Sequence, residues 1–337
     1  MVRICREGDD LIESECAKMY KKDKDLEKGI AFPVCCSINH IVGHFSPMSD
    51  DTTTLSAGDV VKIDLGTHMN GYIATGATTV VCSLDPLTDP IQGAPADVVA
   101  CANTCFEAAL RLIRPGKKIS DVAPTLQKLA DVYGCQLVEG VMTHQMKQFI
   151  IDGEKVVLHR PSPEHRVEDA EFCVGEVYAI DMVVSSGDGR SKVLDEKQTT
   201  VYKRDLAVDY LVKGGAARKV MGEVNKRFAS TPFSIRALTS AKPGEIRLGL
   251  AECVQHGLLL PYPVLHEKSA QAQGKGVKGG CVAQIKGTVL LTGNGTDRIT
   301  KSFLPPVETG KSVEDEELKG LLATSVSAKK KKKKSKK

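Results

Sequence analysis

Two copies of one short pattern decide the fold: residues 58–64 read GDVVKID, and residues 175–181 read GEVYAID. Both copies have the form G-[DE]-V-x-x-I-D, and both run on into a glycine-containing turn and further β-prone residues. A strand–turn–strand unit that recurs far downstream favours two structurally related halves packed together. In that arrangement Asp64 and Asp181 occupy equivalent places at the inner ends of their strands. The alternative is a common turn-plus-strand pattern that arises twice by chance.

Strands and helices alternate around the two copies. Residues 59–65 and 72–82 are predicted to form strands, and helices are predicted over about 95–113 and 120–134. Near the end of the chain, the sequence Gly-Asn-Gly at 293–295 indicates the turn of a hairpin. This mixture predicts an α/β (α+β) fold.

The predicted organisation is one large domain with an insertion. The main domain spans residues 1–308. Segment 203–265 contains two helical stretches around the phrase TPFSIR, and it is predicted to be an inserted helical subdomain. Residues 309–337 are predicted to form a short acidic helix followed by a disordered, lysine-rich tail.

The composition is that of a soluble globular protein. The chain has 337 residues, of which 42% are hydrophobic, so it can bury a sizeable core and is not disordered throughout. No run of about 18 apolar residues and no apolar signal segment occurs, so we expect neither a membrane span nor secretion. The eleven cysteines lack zinc-ribbon spacing and are interpreted as reduced, structural thiols, with a zinc site as the alternative.

The net charge of +4 conceals an asymmetry. Residues 329–337 read KKKKKKSKK, which leaves −4 for residues 1–328. A run of positive charge without apolar partners stays solvated, and it neutralises phosphates by releasing counterions, which gives sequence-independent affinity for RNA or DNA. The candidate nucleic-acid-binding residues are Lys329, Lys330, Lys331, Lys332, Lys333, Lys334, Lys336 and Lys337. The alternative is a tail without a specific partner.

One histidine precedes each copy of the repeated pattern: His44 lies before the first and His144 before the second. Two histidines and two aspartates are a ligand set that suits zinc, manganese or iron. The separations are too long to form a ligand motif, and a buried histidine with a satisfied hydrogen bond is the competing interpretation.

Several stretches of the chain together resemble a known family. NHIVGHFSP, GDVVKIDLGTHMNGYIA, EGVMTHQMKQFIIDGEK, GEVYAID and TPFSIR resemble the type 2 methionine aminopeptidases. GIAFP, VKIDLG, HFSP, IDGEK and VYKRD are most similar to the non-catalytic relatives of these enzymes, the proliferation-associated, ErbB-receptor-binding proteins. The resemblance covers the chain from about residue 5. Since the chain begins later than members of this family usually do, an N-terminal helical region is expected to be missing or shortened.

The resemblance implies the pita-bread (creatinase/aminopeptidase) fold. This fold has two pseudo-symmetric halves, each built of strands and a helix pair, and segment 203–265 corresponds to its type 2 helical insertion. The active enzymes hold two metals with five ligands, and a further histidine lies over the substrate. Matched motif to motif, Asp64 is the first carboxylate, His144 is the metal histidine, and His44 has the substrate-side position.

Four positions depart from the pattern of the active enzymes. Thr75 replaces the second carboxylate, Asp181 replaces a glutamate, Lys286 replaces the last glutamate, and Asp152 stands where a histidine is expected. A two-metal site needs several carboxylates to offset four positive charges. The ammonium of Lys286 would be attracted to Asp64 and Asp181 and would compete with metal for the same space. We therefore predict a vestigial site that is closed by charge pairing, with neither catalysis nor a cofactor.

The predicted function is binding. The resemblance implies association with ribosomal and other structured RNA, with pre-ribosomal or ribosomal particles, and with regulatory proteins in growth and translation control. It also implies a monomer found in the cytoplasm and in the nucleus or nucleolus. Two alternatives stay open. One is a residual metal-dependent methionine aminopeptidase that uses Asp64, His144 and Asp181, and the other is a protein-interaction adaptor without an RNA role.

Overall fold

The computed structural model describes residues 1–161, 167–271 and 280–327. The helices are α1 (Val2–Lys18), α2 (Ala94–Leu112), α3 (Val122–Val132), α4 (Gly215–Arg227), α5 (Pro243–Gln255) and α6 (Glu316–Ala323). The strands are β1 (Lys28–Ile38), β2 (Ile41–Gly43), β3 (Val60–Met69), β4 (Tyr72–Val81), β5 (Gln136–Leu137), β6 (Met142–Met146), β7 (Val156–Leu158), β8 (Val177–Ser185), β9 (Ser191–Val193), β10 (Val201–Arg204), β11 (Phe233–Ser234), β12 (Leu259–Tyr262), β13 (Leu265–Glu267), β14 (Val282–Thr292) and β15 (Gly295–Arg298). None of the helices in these ranges is long and apolar enough to cross a membrane.

An antiparallel sheet of nine strands organises the described part of the chain. Its strand order is β1-β3-β4-β14-β8-β6-β7, with β15 paired to β14 and β5 paired to β8. Two smaller sheets have the orders β11-β10-β12 and β2-β13-β9. The predicted mixed α/β architecture is thereby confirmed.

The two copies of the sequence pattern lie on β3 and β8. β3 and β4 form a hairpin whose turn is Asn70 and Gly71, with φ angles of 51° and 75°. Positive φ at both central residues is what a tight two-residue hairpin requires. Because β14 pairs with both β4 and β8, the two copies reach the middle of the same sheet.

Helices cover the sheet unequally. α1 packs on β1 through a small apolar cluster that includes Cys5, Ile12 and Cys16. α2 is buried almost all round, because it lies against β8 and β14 on one side and against α3 and α6 on others. In the described chain α2 therefore covers β8 and β14 with α3 packed beside it, whereas α1 packs on β1.

The core extends past residue 308, where the main domain is predicted to end. Leu318 of α6 is 3% exposed and belongs to the main apolar core with α2. The ammonium of Lys311 lies 2.9 Å from the carboxylate of Asp97, which is in the first turn of α2. These contacts, which the local sequence pattern does not reveal, join α6 to the core. The boundary predicted at residue 308 stays a prediction.

The last described residues are held against α2 and β15. Arg111 of α2 donates through Nε to the carbonyl of Thr324 at 2.9 Å. Ser327 forms an antiparallel bridge with Gly295 at the start of β15. The chain is therefore anchored immediately before residues 328–337, which lie outside the described residues together with the eight candidate lysines.

Segment 203–265 contains the two helices that its sequence predicts. α4 and α5 pack on each other, and α5 packs on β12, around an apolar cluster of their own. The large side chains of this cluster include Val220, Val224, Phe233 and Leu250. The boundaries of the inserted subdomain stay a prediction.

Glu223 of α4 holds the loop that precedes α5. Its carboxylate accepts hydrogen bonds from the backbone N–H groups of Thr239 at 2.9 Å and Ser240 at 2.8 Å, and from Arg227 at 2.7 Å. Burial would raise the pKa of Glu223, but the hydrogen bonds from Ser240, Arg227 and Thr239 outweigh it and lower the pKa to about 2. The ionised carboxylate is thus the form that stabilises the fold.

We expect Glu223→Gln to lower the free energy of unfolding by about 1–3 kcal/mol at pH 7, because a neutral amide accepts these hydrogen bonds more weakly. Since the folded pKa lies below the ordinary value of 4.5, this contribution is present above pH 4.5 and is lost as the pH falls towards 2. Urea denaturation at pH 7, 4 and 3 measures it. Glu245→Gln, in a half-exposed pair with Lys219, is the control and should change little. A loss of equal size at pH 7 and pH 3 would contradict the assignment.

Candidate functional site

Charged side chains from three strands meet in one row of the central sheet. Asp64 on β3 is opposite Ala77 on β4, Ala77 is opposite Lys286 on β14, and Lys286 is opposite Asp181 on β8. Directly opposite residues in antiparallel strands project their side chains to the same face. The two aspartates of the repeated pattern therefore lie on either side of Lys286.

Lys286 forms ion pairs with both aspartates. Its Nζ lies 2.5 Å from Oδ2 of Asp64 and 2.9 Å from Oδ2 of Asp181. Gln284, two residues earlier on the same face, donates to Asp181 Oδ1 at 2.8 Å and to Asp64 Oδ2 at 3.3 Å. These four residues are at most 8% exposed. Burial would lower the pKa of Lys286, but Asp181 and Asp64 outweigh it and raise the pKa above its ordinary value, so the amine is a charged ammonium.

The group of Asp64, Lys286 and Asp181 carries a net charge of −1 when all three are ionised. Burial raises the pKa of Asp64, and the attraction of Lys286 opposes that rise. Oδ1 of Asp64 has no hydrogen-bond partner among the described residues. The ring of Phe32 lies 5.6 Å from the Lys286 ammonium and adds a cation–π contact. The ammonium is therefore held from several sides.

Thr75 and His144 lie one row away from the ion pairs. Thr75 donates its backbone N–H to the hydroxyl of Thr288 at 2.8 Å, and the two hydroxyl groups are 3.4 Å apart. His144 is opposite Ala179, which is two residues from Asp181 on β8. Burial lowers the pKa of His144, and its Nδ1 has no hydrogen-bond partner in the described chain. Thr75 and His144 thus share the face with the three charged groups, but their side chains form no hydrogen bond or ion pair with those of Asp64, Lys286 and Asp181.

Three rings pack beside the charged row. His44, which has a left-handed φ of 67°, bonds through Nδ1 to the carbonyl of Pro263 at 3.0 Å. Its ring centroid lies 5.4 Å from that of Tyr262 and 6.0 Å from that of Phe32. Burial lowers the pKa of His44, which favours the neutral ring. The substrate-side histidine of the sequence comparison is therefore a packed member of an aromatic cluster.

Asp152 belongs to a separate hydrogen-bonded group. Its carboxylate accepts from Lys203 at 2.5 Å and from the hydroxyl of Tyr262 at 2.7 Å. Burial would raise the pKa of Asp152, but Lys203 and Tyr262 lower it below its ordinary value. Gln284, Lys203 and Tyr262 are not among the residues that the sequence motifs predict for the site. The two-residue period of β14 signals Gln284, whereas Lys203 and Tyr262 are distant in sequence and have no local signal.

The side chains present do not fit a two-metal centre. A metal cation bound to Asp64 and Asp181 would have to occupy the space in which the Lys286 ammonium already lies. Two positive charges so close together repel each other strongly. Within residues 1–161, 167–271 and 280–327, no group of three or more His, Cys, Asp or Glu side chains is arranged to hold a metal ion. No metal-dependent step can be derived from this arrangement.

The fold and the paired aspartates at its centre define an aminopeptidase-like α/β protein with a lysine between its two central carboxylates. The sequence pattern of metallopeptidase family M24 matches residues 3–203, which is more than half of the chain. The chain belongs to metallopeptidase family M24.

Named relatives match the chain over nearly its whole length. ErbB-3 binding protein 1 of Arabidopsis thaliana is 50% identical over 331 residues, which are 98% of this chain and 80% of the relative. Curved DNA-binding protein of Schizosaccharomyces pombe is 38% identical over 341 residues, or 99% of this chain and 85% of the relative. The solved structure of a thermophilic Arx1 superposes with a TM-score of 0.87 at 27% identity, covering 97% of this chain and 91% of that one. The predicted pita-bread fold and the similarity to ErbB-receptor-binding proteins are confirmed.

Proposed function

We propose that this protein is a non-catalytic member of family M24 that binds RNA. The observation that carries the first half of the proposal is the Lys286 ammonium between Asp64 and Asp181. This internal cation neutralises one of the two carboxylates and competes with a metal ion for them. The packed rings of Phe32, His44 and Tyr262 further support a role other than peptide hydrolysis.

The second half of the proposal rests on charge. Residues 329–337 carry eight lysines on a body of charge −4, a separation that favours contacts with phosphates through the tail. The relative named Curved DNA-binding protein adds support for a nucleic-acid partner. We propose ribosomal and other structured RNA, within pre-ribosomal or ribosomal particles, as the ligand. Regulatory proteins are further partners, and the protein acts as a monomer in the cytoplasm and in the nucleus or nucleolus.

We expect the purified protein to contain no stoichiometric metal and to release no methionine from Met-Ala-Ser peptides. The physical reason is that Lys286 offsets the charge of Asp64 and Asp181. Metal analysis after incubation with zinc, manganese or cobalt, together with a peptide hydrolysis assay, tests this. Stoichiometric metal with cleavage would establish the alternative, a residual aminopeptidase that uses Asp64, His144 and Asp181.

Deleting residues 329–337 is expected to weaken binding to a structured ribosomal RNA fragment by about 10–100-fold near 100 mM salt, because up to eight phosphate contacts are lost. The salt dependence should flatten, since each lost contact removes about 0.7–0.9 from the logarithmic slope. Fluorescence titrations of labelled RNA at KCl concentrations from about 50 to about 300 mM measure the affinity and its dependence on salt.

Two matched variants separate charge from sequence in this experiment. Replacing the eight lysines by arginines should leave the affinity for RNA unchanged, whereas replacing them by glutamines should weaken binding as much as the deletion does. Unchanged affinity and slope in the deletion variant would overturn the role of the tail. Crosslinking to RNA in cells, with sequencing of the bound species, distinguishes an RNA-binding protein from an adaptor for proteins alone.

A further inference from the structure

The loop between β4 and α2 presents two leucines to solvent. Leu84 is fully exposed, and Leu87 is 55% exposed. We call residues 83–90 the leucine loop. Single exposed leucines are common on protein surfaces, so exposure alone does not indicate a binding site. The case for one depends on how rigidly this loop is held and on the charge that it carries.

Both ends of the leucine loop are fixed to the body of the protein. At its start, the backbone N–H of Cys82 donates to the carbonyl of Asp59 at 2.8 Å, and the Cys82 carbonyl accepts from the N–H of Gly58 at 2.7 Å. At its end, Ile91 is 4% exposed, and its N–H donates to the carbonyl of Pro306 at 2.8 Å. The base of the loop therefore has a defined position between two neighbouring segments.

Hydrogen bonds within the leucine loop brace its tip. The N–H of Asp89 donates to the carbonyl of Asp85 at 2.9 Å, and the N–H of Asp85 donates back to the Asp89 carboxylate at 3.2 Å. The Asp85 carboxylate also accepts from the N–H of Leu87 at 3.3 Å. Pro86 and Pro90 each restrict φ to about −65°. The two leucines are thus presented by a preorganised loop, which lowers the entropic cost of binding a partner.

The charge of the leucine loop indicates the kind of partner. Residues 82–93 include Asp85 and Asp89, both exposed, and contain no lysine, arginine or histidine. Carboxylates repel the phosphates of RNA, so this loop is a poor surface for a nucleic acid. Two carboxylates beside exposed leucines instead complement an apolar groove whose rim carries lysine or arginine. Such a groove belongs to a protein.

We propose that the leucine loop docks into an apolar groove, rimmed by lysine and arginine, on a protein of the ribosomal particle. This inference rests on the proposed function, in which the lysine tail binds RNA of the same particle. Phe303 and Leu304, at 44% and 38% exposure, lie within three residues of Pro306 and add apolar surface near the base of the loop. The loop and the tail then engage one particle through two different contacts, and linked contacts strengthen each other by raising the effective concentration.

The test uses the full-length protein with Leu84→Ser and Leu87→Ser combined. Its affinity for purified ribosomal subunits should fall about 10-fold, because two apolar side chains are lost from the contact. Its affinity for the structured ribosomal RNA fragment should not change, since the loop does not contact RNA. Cosedimentation with the subunits and fluorescence titration of the RNA measure the two affinities. Leu11→Ser, at a leucine of α1 that is 59% exposed, is the matched control and should bind both probes normally.

A second variant tests the charge of the loop. Asp85→Asn combined with Asp89→Asn keeps side-chain oxygens that accept the hydrogen bonds of the loop but removes both negative charges. Its affinity for the subunits should fall about 3-fold near 50 mM KCl, and the difference from the unmodified protein should shrink as the salt concentration rises. An unchanged affinity would contradict the basic rim of the groove.

The outcomes distinguish this inference from the function on which it rests. Normal subunit binding by the leucine variant, together with weaker RNA binding after deletion of residues 329–337, would refute the docking loop alone. Weaker binding of the leucine variant to the RNA fragment would show that the loop contacts RNA and would refute the protein partner. If the unmodified protein binds neither the subunits nor the RNA, the proposed function is wrong as well.

Discussion

Replacing Lys286 by methionine is expected to destabilise the protein by about 3–5 kcal/mol at pH 7, because the change removes one partner from a buried group of charges. Asp64 and Asp181 would then face each other without a cation, and both are nine-tenths or more buried. Chemical denaturation with urea measures the loss. The control is Lys219→Met, which removes a half-exposed pair with Glu245 and should cost less than about 1 kcal/mol.

The pH dependence of the Lys286→Met variant has a definite sign. In the folded variant, burial and repulsion by the carboxylate of Asp181 raise the pKa of Asp64 above its value in the unfolded chain. The folded state then binds more protons, so the penalty shrinks as the pH falls from 7 to 5. Adding Asp64→Asn and Asp181→Asn should restore part of the lost stability. If Lys286→Met alone lowers the free energy of unfolding by less than about 1 kcal/mol, the ion pairs contribute little to stability.

Replacing Arg236 by methionine should also cost about 3–5 kcal/mol, since it breaks a partly buried ion pair together with two further hydrogen bonds. Arg236 donates to the carboxylate of Asp9 on α1 at 2.6 Å, and its other nitrogen donates to Ser46 Oγ at 3.0 Å and to the Pro47 carbonyl at 2.9 Å. Asp9 in turn accepts from the backbone N–H of Val34 on β1 at 2.8 Å. One guanidinium therefore joins α1, the loop after β2 and the segment after β11.

A double-mutant cycle with Asp9→Asn measures the coupling between these two side chains. The double variant should lose less stability than the sum of the single variants, because the second change removes a charge that the first has left unpaired. Arg247→Met, in an exposed pair with Asp50 at 3.7 Å, is the matched control. Additive losses for Asp9 and Arg236 would contradict the role of the ion pair.

The repeated pattern predicted the central sheet because both copies carry the strand period and the turn residues locally. The sequence could not show that α6 belongs to the core. That helix is short and acidic, and Leu318 is buried only because α2 lies beside it. The helix pair in each half was likewise implied only by the resemblance, and local sequence does not report which elements pack on a strand.

The candidate site was predictable in part. Matching motifs placed Asp64, Asp181 and Lys286 in one site, and their contact follows from the registers of β14 with β4 and β8. Gln284 can be predicted from the same strand, because it lies two residues before Lys286 on β14 and therefore on the same face. The contact of Asp152 with Lys203 joins residues that are 51 positions apart in the sequence. Such side chains acquire a role only when the tertiary fold brings them together.

The anchoring of Ser327 beside Gly295 limits how far the basic residues that follow can extend from that point. All eight lysines lie within ten residues of Ser327, so each of them stays within about 35 Å of that point, whatever conformation the connection adopts. Any phosphate that the lysines contact must therefore lie within roughly that distance of Ser327, which pairs with Gly295 at the start of β15. A ligand that occupies this region samples a high local concentration of lysine, whereas one held on a remote surface of the protein does not.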